Sequence, residues 1–186
     1  MPRVVSGKCR GTVLEAPKGD ATRPTTDKVK EAIFSSIQFD IEGRDFIDVF
    51  AGSGQMGIEA LSRGASYAYF VENDTRALSC LQKNLITTRM TDRAFVLRSD
   101  VPSGVSRLRA EEIDFVYMDP PYDAALYAPT LRALSSLSCI TGYTTVIAES
   151  GISLDFSFAN GLGFDVIKEK RYKHNKHVFL QRSEGA

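Results

Sequence analysis

The stretch Asp119-Pro120-Pro121-Tyr122 puts a carboxylate, a stiff backbone carbonyl and an aromatic ring within four consecutive residues. It follows the apolar run Asp114-Phe115-Val116-Tyr117-Met118, which reads as a strand buried on both faces. Two consecutive prolines donate nothing to a ladder and fix φ at about −65°, so the strand stops abruptly on one rigid shape. In open α/β sheets that carboxyl edge is where ligands sit. An amine whose lone pair is delocalised into a ring or a carbonyl needs acceptors of this kind to become a nucleophile. A strand-ending turn with no chemistry would also use Pro-Pro, so the neighbouring motifs carry the decision.

Asp48-Val49-Phe50-Ala51-Gly52-Ser53-Gly54-Gln55-Met56-Gly57 reads as strand, glycine turn and helix start, with Gly52, Gly54 and Gly57 spelling GxGxxG. Glu72 ends the next strand 20 residues after Gly52, where a carboxylate can accept both hydroxyls of a ribose. That spacing fits a dinucleotide as well as S-adenosylmethionine. Three features favour the sulfonium cofactor. Asp48 stands just before the loop, where a negative charge suits an ammonium or sulfonium and opposes a pyrophosphate. Asp100 closes the third strand, placed to accept from an adenine amine, with the Val101 amide available to the ring edge. Asp119 closes the fourth. Acidic groups at four consecutive strand ends are unsuited to binding phosphate.

The elements that position these residues follow from periodicity. Strands are expected at 46–50, 67–72, 94–99, 114–118 and 144–149, with helices at 56–63, 75–88, 102–110 and 129–138. Their alternation implies a parallel sheet with helices on both faces. Ahead of it, Thr22-Arg23-Pro24-Thr25-Thr26-Asp27 leads into a helix with Thr25 or Thr26 as N-cap. Asn73, Asp74 or Thr75 can cap the helix whose apolar face is Leu78, Leu81 and Leu85, and Pro129 suits a first helical turn. Residues 3–16 suggest two short strands around a glycine turn, and residues 164–182 a terminal hairpin across His174-Asn175-Lys176. The expectation is one domain over residues 1–186, with no repeat or interdomain linker.

Of 186 residues, 43% are hydrophobic and 25% charged, the balance of an ordinary globular chain. No stretch approaches the roughly 18 apolar residues of a membrane span, and Met1 to Lys8 lack the apolar segment of a signal peptide. Cys9, Cys80 and Cys139 form no CxxC pair, which points away from disulfides or zinc and toward a reducing cytoplasm. His174 and His177 have HxxH spacing without a third ligand and read as exposed turn residues, so no metal is expected. Net charge is zero but unevenly spread: residues 1–30 and 168–186 each carry +4, and residues 31–167 carry −8. Basic ends around an acidic body suit a polyanion held at the ends, although solvated surface charge gives the same pattern.

The segments Thr22 to Phe34, Asp48 to Gly54, Gly57-Ile58-Glu59-Ala60-Leu61-Ser62-Arg63-Gly64-Ala65 and Asp119 to Tyr122 occur in this order. Together they resemble the bacterial 16S ribosomal RNA guanine-N2 methyltransferase family (RsmD-like), over about residues 3 to 182. The threonine-arginine-proline segment with the glycine loop is specific to that family; Asp-Pro-Pro-Tyr alone marks amino-methyltransferases of many kinds. The resemblance implies a Rossmann-like class I methyltransferase fold: a seven-stranded, mostly parallel α/β sheet, its last two strands forming the terminal hairpin with one antiparallel, plus a small N-terminal β-hairpin. It also implies S-adenosylmethionine as donor, with S-adenosylhomocysteine as product, and a guanine amino group in small-subunit rRNA, free or in an assembling particle, as acceptor. Carried over by residue, Gly52 and Gly54 line the methionine portion, Glu72 holds the ribose, Asp100 meets the adenine, and Asp119 to Tyr122 hold the base. Arg23 and Thr25 face the amino-acid end of the cofactor. Gln55-Met56 departs from the small residues expected after the loop, and Met56 is expected to pack inward. Nothing sets the oligomeric state, and a monomer is the working expectation.

On this reading Asp119 and the Pro120 carbonyl accept the two N–H bonds of the amine, and Tyr122 stacks on a base drawn out of its helix. Arg3, Lys8 and Arg10 at one end, and Lys168, Lys170, Arg171, Lys173 and Lys176 at the other, can neutralise phosphates. Rival readings keep the chemistry and change the acceptor to a DNA adenine or cytosine or a protein glutamine, or replace it with a nicotinamide oxidoreductase or a non-catalytic RNA-binding assembly factor.

Overall fold

Short apolar runs alternating with amphipathic stretches fold, in the computed structural model, into one layered sheet; residues 1–17, 25–120 and 124–183 are described. The strands are β1 (Phe46–Asp48), β2 (Ala68–Glu72), β3 (Ala94–Arg98), β4 (Phe115–Met118), β5 (Thr145–Gly151), β6 (Phe164–Arg171) and β7 (Asn175–Arg182). The helices are α1 (Asp27–Phe34), α2 (Gln55–Ser62), α3 (Thr75–Thr87), α4 (Val101–Val105) and α5 (Tyr127–Ser135). The sheet order is β3-β2-β1-β4-β5-β7-β6. β1 to β5 are mutually parallel, and β7 runs antiparallel between β5 and β6. The chain moves outward from β1 on one side and returns to β4 on the other, so the gap between β1 and β4 is the topological switch point where open sheets bind ligands.

Each sheet face has its own core. One holds Phe34, Phe46, Phe70, Leu81 and Tyr117 against α1, α2 and α3; the other holds Val71, Val105, Val116, Leu131 and Val146 against α4 and α5. Leu78, Leu81 and Leu85 of α3 are buried as the periodicity requires, each worth about 1.5–3 kcal/mol. Asp74 caps α3, accepting from the Arg76 and Ala77 N–H groups, and Thr26 caps α1, accepting from the Val29 N–H. Met56 packs into the core at 2% exposure.

Two expected elements change shape. α4 ends at Val105 rather than running to residue 110, because Ser103, Gly104 and Ser106 are weak helix formers and Ser106 Oγ turns back to bond the Ser103 carbonyl. β7 begins at Asn175, which makes Lys176 and His177 strand residues instead of turn residues. Both are buried, at 3% and 0% exposure. Lys176 is therefore no phosphate contact: it forms an ion pair with Glu169 at 2.7 Å.

The N-terminal ribbon closes through a single antiparallel bridge, Arg3 to Val13, in place of two regular strands. Glu59, buried on α2, accepts from the Val5 and Ser6 N–H groups at 2.7 and 3.0 Å and from Arg63 Nε at 2.8 Å. The ribbon is thus fastened to α2.

Candidate active site

β1 ends on Asp48, and the chain then turns through Gly52 and Gly54 into α2. Gly52 and Gly54 have φ of 53° and 82°, in the left-handed region that side chains disfavour. A Cβ at Gly54 would stand 2.2 Å from Leu81 Cδ1, whereas one at Gly52 would meet nothing within 4 Å, because Gly52 borders an open cleft of about 1280 Å³. That cleft is lined by the glycine loop, the carboxyl ends of the parallel strands, the start of α1 and the β6–β7 turn.

Pleating puts alternate residues on one face. Asp48 follows Phe46 there, Glu72 follows Phe70 and Asp119 follows Tyr117, with Phe46, Phe70 and Tyr117 in the same core cluster. Registers Asp48↔Tyr117, Asp48↔Phe70 and Met118↔Ala148 extend the row by one strand to Glu149, which follows Ile147 of that cluster. Glu72, Asp48, Asp119 and Glu149 therefore stand in sheet order along one edge, all lining the cleft. The sequence reading found the first three and missed Glu149, although its place at the end of the fifth strand was the available signal. It also missed Lys28, which faces the cleft from α1.

Asp48 is 2% exposed, and its Oδ1 has no hydrogen-bond partner among the described residues. Burial pushes its carboxyl up to about 8, helped by the nearby charges of Asp119 and Glu72. Gln55 Oε1, also in the cleft wall, is a second buried acceptor without a partner among the described residues. Unmatched acceptors beside an open cradle fit a ligand that brings cationic or donor groups.

The sign of the Asp48 shift sets a pH dependence. Between its ordinary 3.8 and about 8 the folded chain keeps a proton that the unfolded chain has released. The associated stability is complete below the ordinary value and is lost as pH rises through about 8. Asp48→Asn should melt above the native, ligand-free chain at about pH 8.5, with the gap narrowing as pH falls and closing near about pH 4. Thermal melts across that range test this, and a gap independent of pH contradicts it.

Glu72 is more occupied than a simple ribose acceptor. Its Oε2 accepts from the Gly52 N–H at 2.7 Å, and its Oε1 from the Asn73 and Asp74 N–H groups at 2.8 and 2.7 Å. It fastens the glycine loop to β2, and a carboxylate with four lone-pair positions keeps capacity for a further donor. Asp100 uses Oδ1 to cap α4, accepting from the Ser103 N–H at 3.1 Å, a bond that also holds its carboxyl below the ordinary range. Asp100, Val101, Thr25 and Pro120 all line the cleft. Arg23, Pro121 and Tyr122 lie outside the described residues.

The basic residues divide. Lys173 and His174 of the β6–β7 turn line the cleft mouth. Lys170 is tied to Ser36 Oγ, Arg171 pairs with Glu169 at 3.0 Å, and Arg3 pairs with Asp27 at 2.8 Å. Lys8 and Arg10 are not brought to the cleft. Their turn packs on the carboxyl end of α2, with the Lys8 N–H on the Ser62 carbonyl, and of α3, with Cys9 Sγ on the Thr88 carbonyl. Both helix ends lie at the opposite edge of the sheet.

Residues 2–181 match the family described as conserved hypothetical protein 95. The chain belongs to that family. Ribosomal RNA small subunit methyltransferase D of Escherichia coli strain K12 is 33% identical over 150 residues, covering 81% of this chain and 75% of its own. YlbH of Bacillus subtilis, provisionally named an rRNA methyltransferase, is 44% identical over 149 residues, covering 79% of this chain and 81% of its own. The solved structure of Escherichia coli yhhF, provisionally named a methyltransferase, superposes with a TM-score of 0.84 at 29% identity over 97% of both chains. The RsmD-like resemblance and the Rossmann-like class I fold expected from the motifs are both borne out. Within the family fold, the glycine loop and the Asp119-Pro120 turn meet at the switch point.

Proposed function

We propose that this protein is an S-adenosylmethionine-dependent methyltransferase that modifies the exocyclic N2 amino group of a guanine in small-subunit (16S) ribosomal RNA. The observation that carries this reading is the placement of Asp119-Pro120 at the end of β4, across the switch point from Asp48 and the glycine loop, in one cleft. The names of the relatives, rRNA small subunit methyltransferase D among them, supply the substrate class.

The residues present suit the donor. Asp48 and Gln55, with unmatched acceptors among the described residues, would hold its amino-acid end, Gly52 would leave room for it, Glu72 would hold its ribose, and Asp100 with the Val101 amide would meet its base. When bound, S-adenosylmethionine supplies an electrophilic methyl on a positively charged sulfur. The chain's own residues do the rest. Asp119 and the Pro120 carbonyl accept the two N–H bonds of the guanine amine, drawing its lone pair out of conjugation and aiming it. Fixed acceptors stabilise the positive charge that develops on nitrogen without reorganising, and orientation removes the entropic part of the barrier. Asp119 or water takes the departing proton. Tyr122 stacks on the extruded base.

Lys28 and Lys173 are exposed and line the cleft, which supports a path for RNA between α1 and the β6–β7 turn. Lys8 and Arg10, at the far edge, meet only RNA that wraps beyond the cleft. Lys173→Ala should weaken RNA binding and reduce the slope of log affinity against log salt by about 1. Titrations between about 50 and 200 mM salt measure it, and an unchanged slope removes Lys173 from the RNA path.

Transfer of tritiated methyl to undermodified small ribosomal subunits, with mass mapping of the product, tests the whole reading. Label on one guanine N2 supports it. No transfer by a folded protein with Asp119 intact favours a binding role, and label on another atom moves the acceptor.

A further inference from the structure

We propose that Glu149 is a specificity-determining residue that reads the ring N–H next to the acceptor amine, admitting guanine and turning away bases with a bare ring nitrogen there. The inference rests on the guanine-methyltransferase reading above and adds the group that selects the base.

Glu149 lies one register step beyond Met118↔Ala148, so it stands beside Asp119 on the neighbouring parallel strand and on the same face. Adjacent strands are about 4.8 Å apart, which puts two carboxylates side by side at the cleft. On guanine the ring N–H and the exocyclic amine are likewise adjacent donors on one edge. Two neighbouring acceptors meet two neighbouring donors.

The Glu149 carboxylate is held in place. Tyr117 Oη donates to its Oε2 at 2.9 Å and Asn175 Nδ2 donates to its Oε1 at 2.8 Å. The hydroxyl of Tyr127 donates to the Glu149 backbone carbonyl, fixing the strand end below it. These bonds occupy two of four lone-pair positions and leave capacity to accept from a ligand. The side chain is 16% exposed and lines the cleft.

Among the described residues, no charged cation stands within ion-pair distance of it. The only described basic side chain within ion-pair distance is His177, its Nε2 3.9 Å from Glu149 Oε2. His177 is fully buried, and neither ring nitrogen has a hydrogen-bond partner among the described residues. Burial holds it below the ordinary imidazole range and so in the neutral form. Adenine and cytosine present a lone pair next to their amine, and facing it with a carboxylate opposes two acceptors in a partly dry site. Guanine presents a donor, and the contact is favourable.

The plain alternative is that Glu149 only fastens β5 to β7 through Asn175. Synthetic small-subunit rRNA carrying guanosine or 2-aminopurine riboside at the mapped nucleotide, assembled into particles, separates the two. 2-Aminopurine keeps the amine but has a bare nitrogen where guanine has N–H. The native protein should transfer methyl to guanine at least about 10²-fold faster, and Glu149→Gln, whose amide can donate, should compress that preference below about tenfold. Equal loss toward both bases in Glu149→Gln, with the preference intact, leaves only the fastening role and overturns the inference. A native protein that methylates both bases equally overturns it even if the variant does not fold. Absence of any guanine methylation sinks the underlying reading instead, and this inference with it.

Discussion

Asp119→Ala should slow methyl transfer by about 10²–10³ at saturating donor and acceptor, while S-adenosylhomocysteine binds within about threefold of the native affinity. The split follows from what the side chain touches. Asp119 is assigned to the acceptor amine, and its work falls in the transition state, when nitrogen becomes positive. In the proposed reading the donor is held by the glycine loop, Asp48 and Glu72, which line the cleft and which the change leaves in place. Single-turnover rates measure the first part and calorimetry the second. A rate within about fivefold of native, or a comparable collapse of S-adenosylhomocysteine affinity, would move Asp119 out of the acceptor site.

The largest effect on stability is expected at Glu59 of α2, which does not line the cleft. Glu59→Ala should cost about 3–5 kcal/mol, lowering the melting temperature by about 10 °C. Glu59 is 0% exposed and accepts from two backbone N–H groups and Arg63. Its charge also compensates Lys30, equally buried, whose ammonium burial pushes below the ordinary range against the pull of Glu59 and Asp27. Removing the carboxylate strands two backbone donors, unpairs Arg63 and, among the described residues, leaves Asp27 alone as the counter-charge of buried Lys30. The N-terminal ribbon loses two of its anchoring hydrogen bonds, so faster proteolysis and amide exchange over residues 3–16 should accompany the loss. A cost below about 1 kcal/mol would show that water replaces the carboxylate.

Much of this was legible in the chain because local rules set it. Strand ends announced themselves through Pro120 and Pro121, which cannot donate to a ladder, and through Gly52, which takes a positive φ that side chains disfavour. Apolar spacing located α3 and its Leu78, Leu81 and Leu85 face, and Asp74 supplied the cap. What failed locally failed for nonlocal reasons. Lys176 and His177 resemble solvated turn residues in sequence, yet the β5–β7 ladder draws them in, because pairing Ser150↔Lys176 and Glu149↔His177 extends the strand. Lys8 and Arg10 share a basic terminus with Arg3, but the Ser62 and Glu59 contacts carry their turn to the far edge.

By itself the sequence determined which residue types stand at the strand ends, since glycine, proline and alternating apolar runs act over a few residues. Only the tertiary structure decided that Glu72, Asp48, Asp119 and Glu149 form one row, and that Glu149 belongs to it. That row depends on register between strands distant in sequence, which hydrogen bonding and a shared core fix and no short stretch of chain encodes.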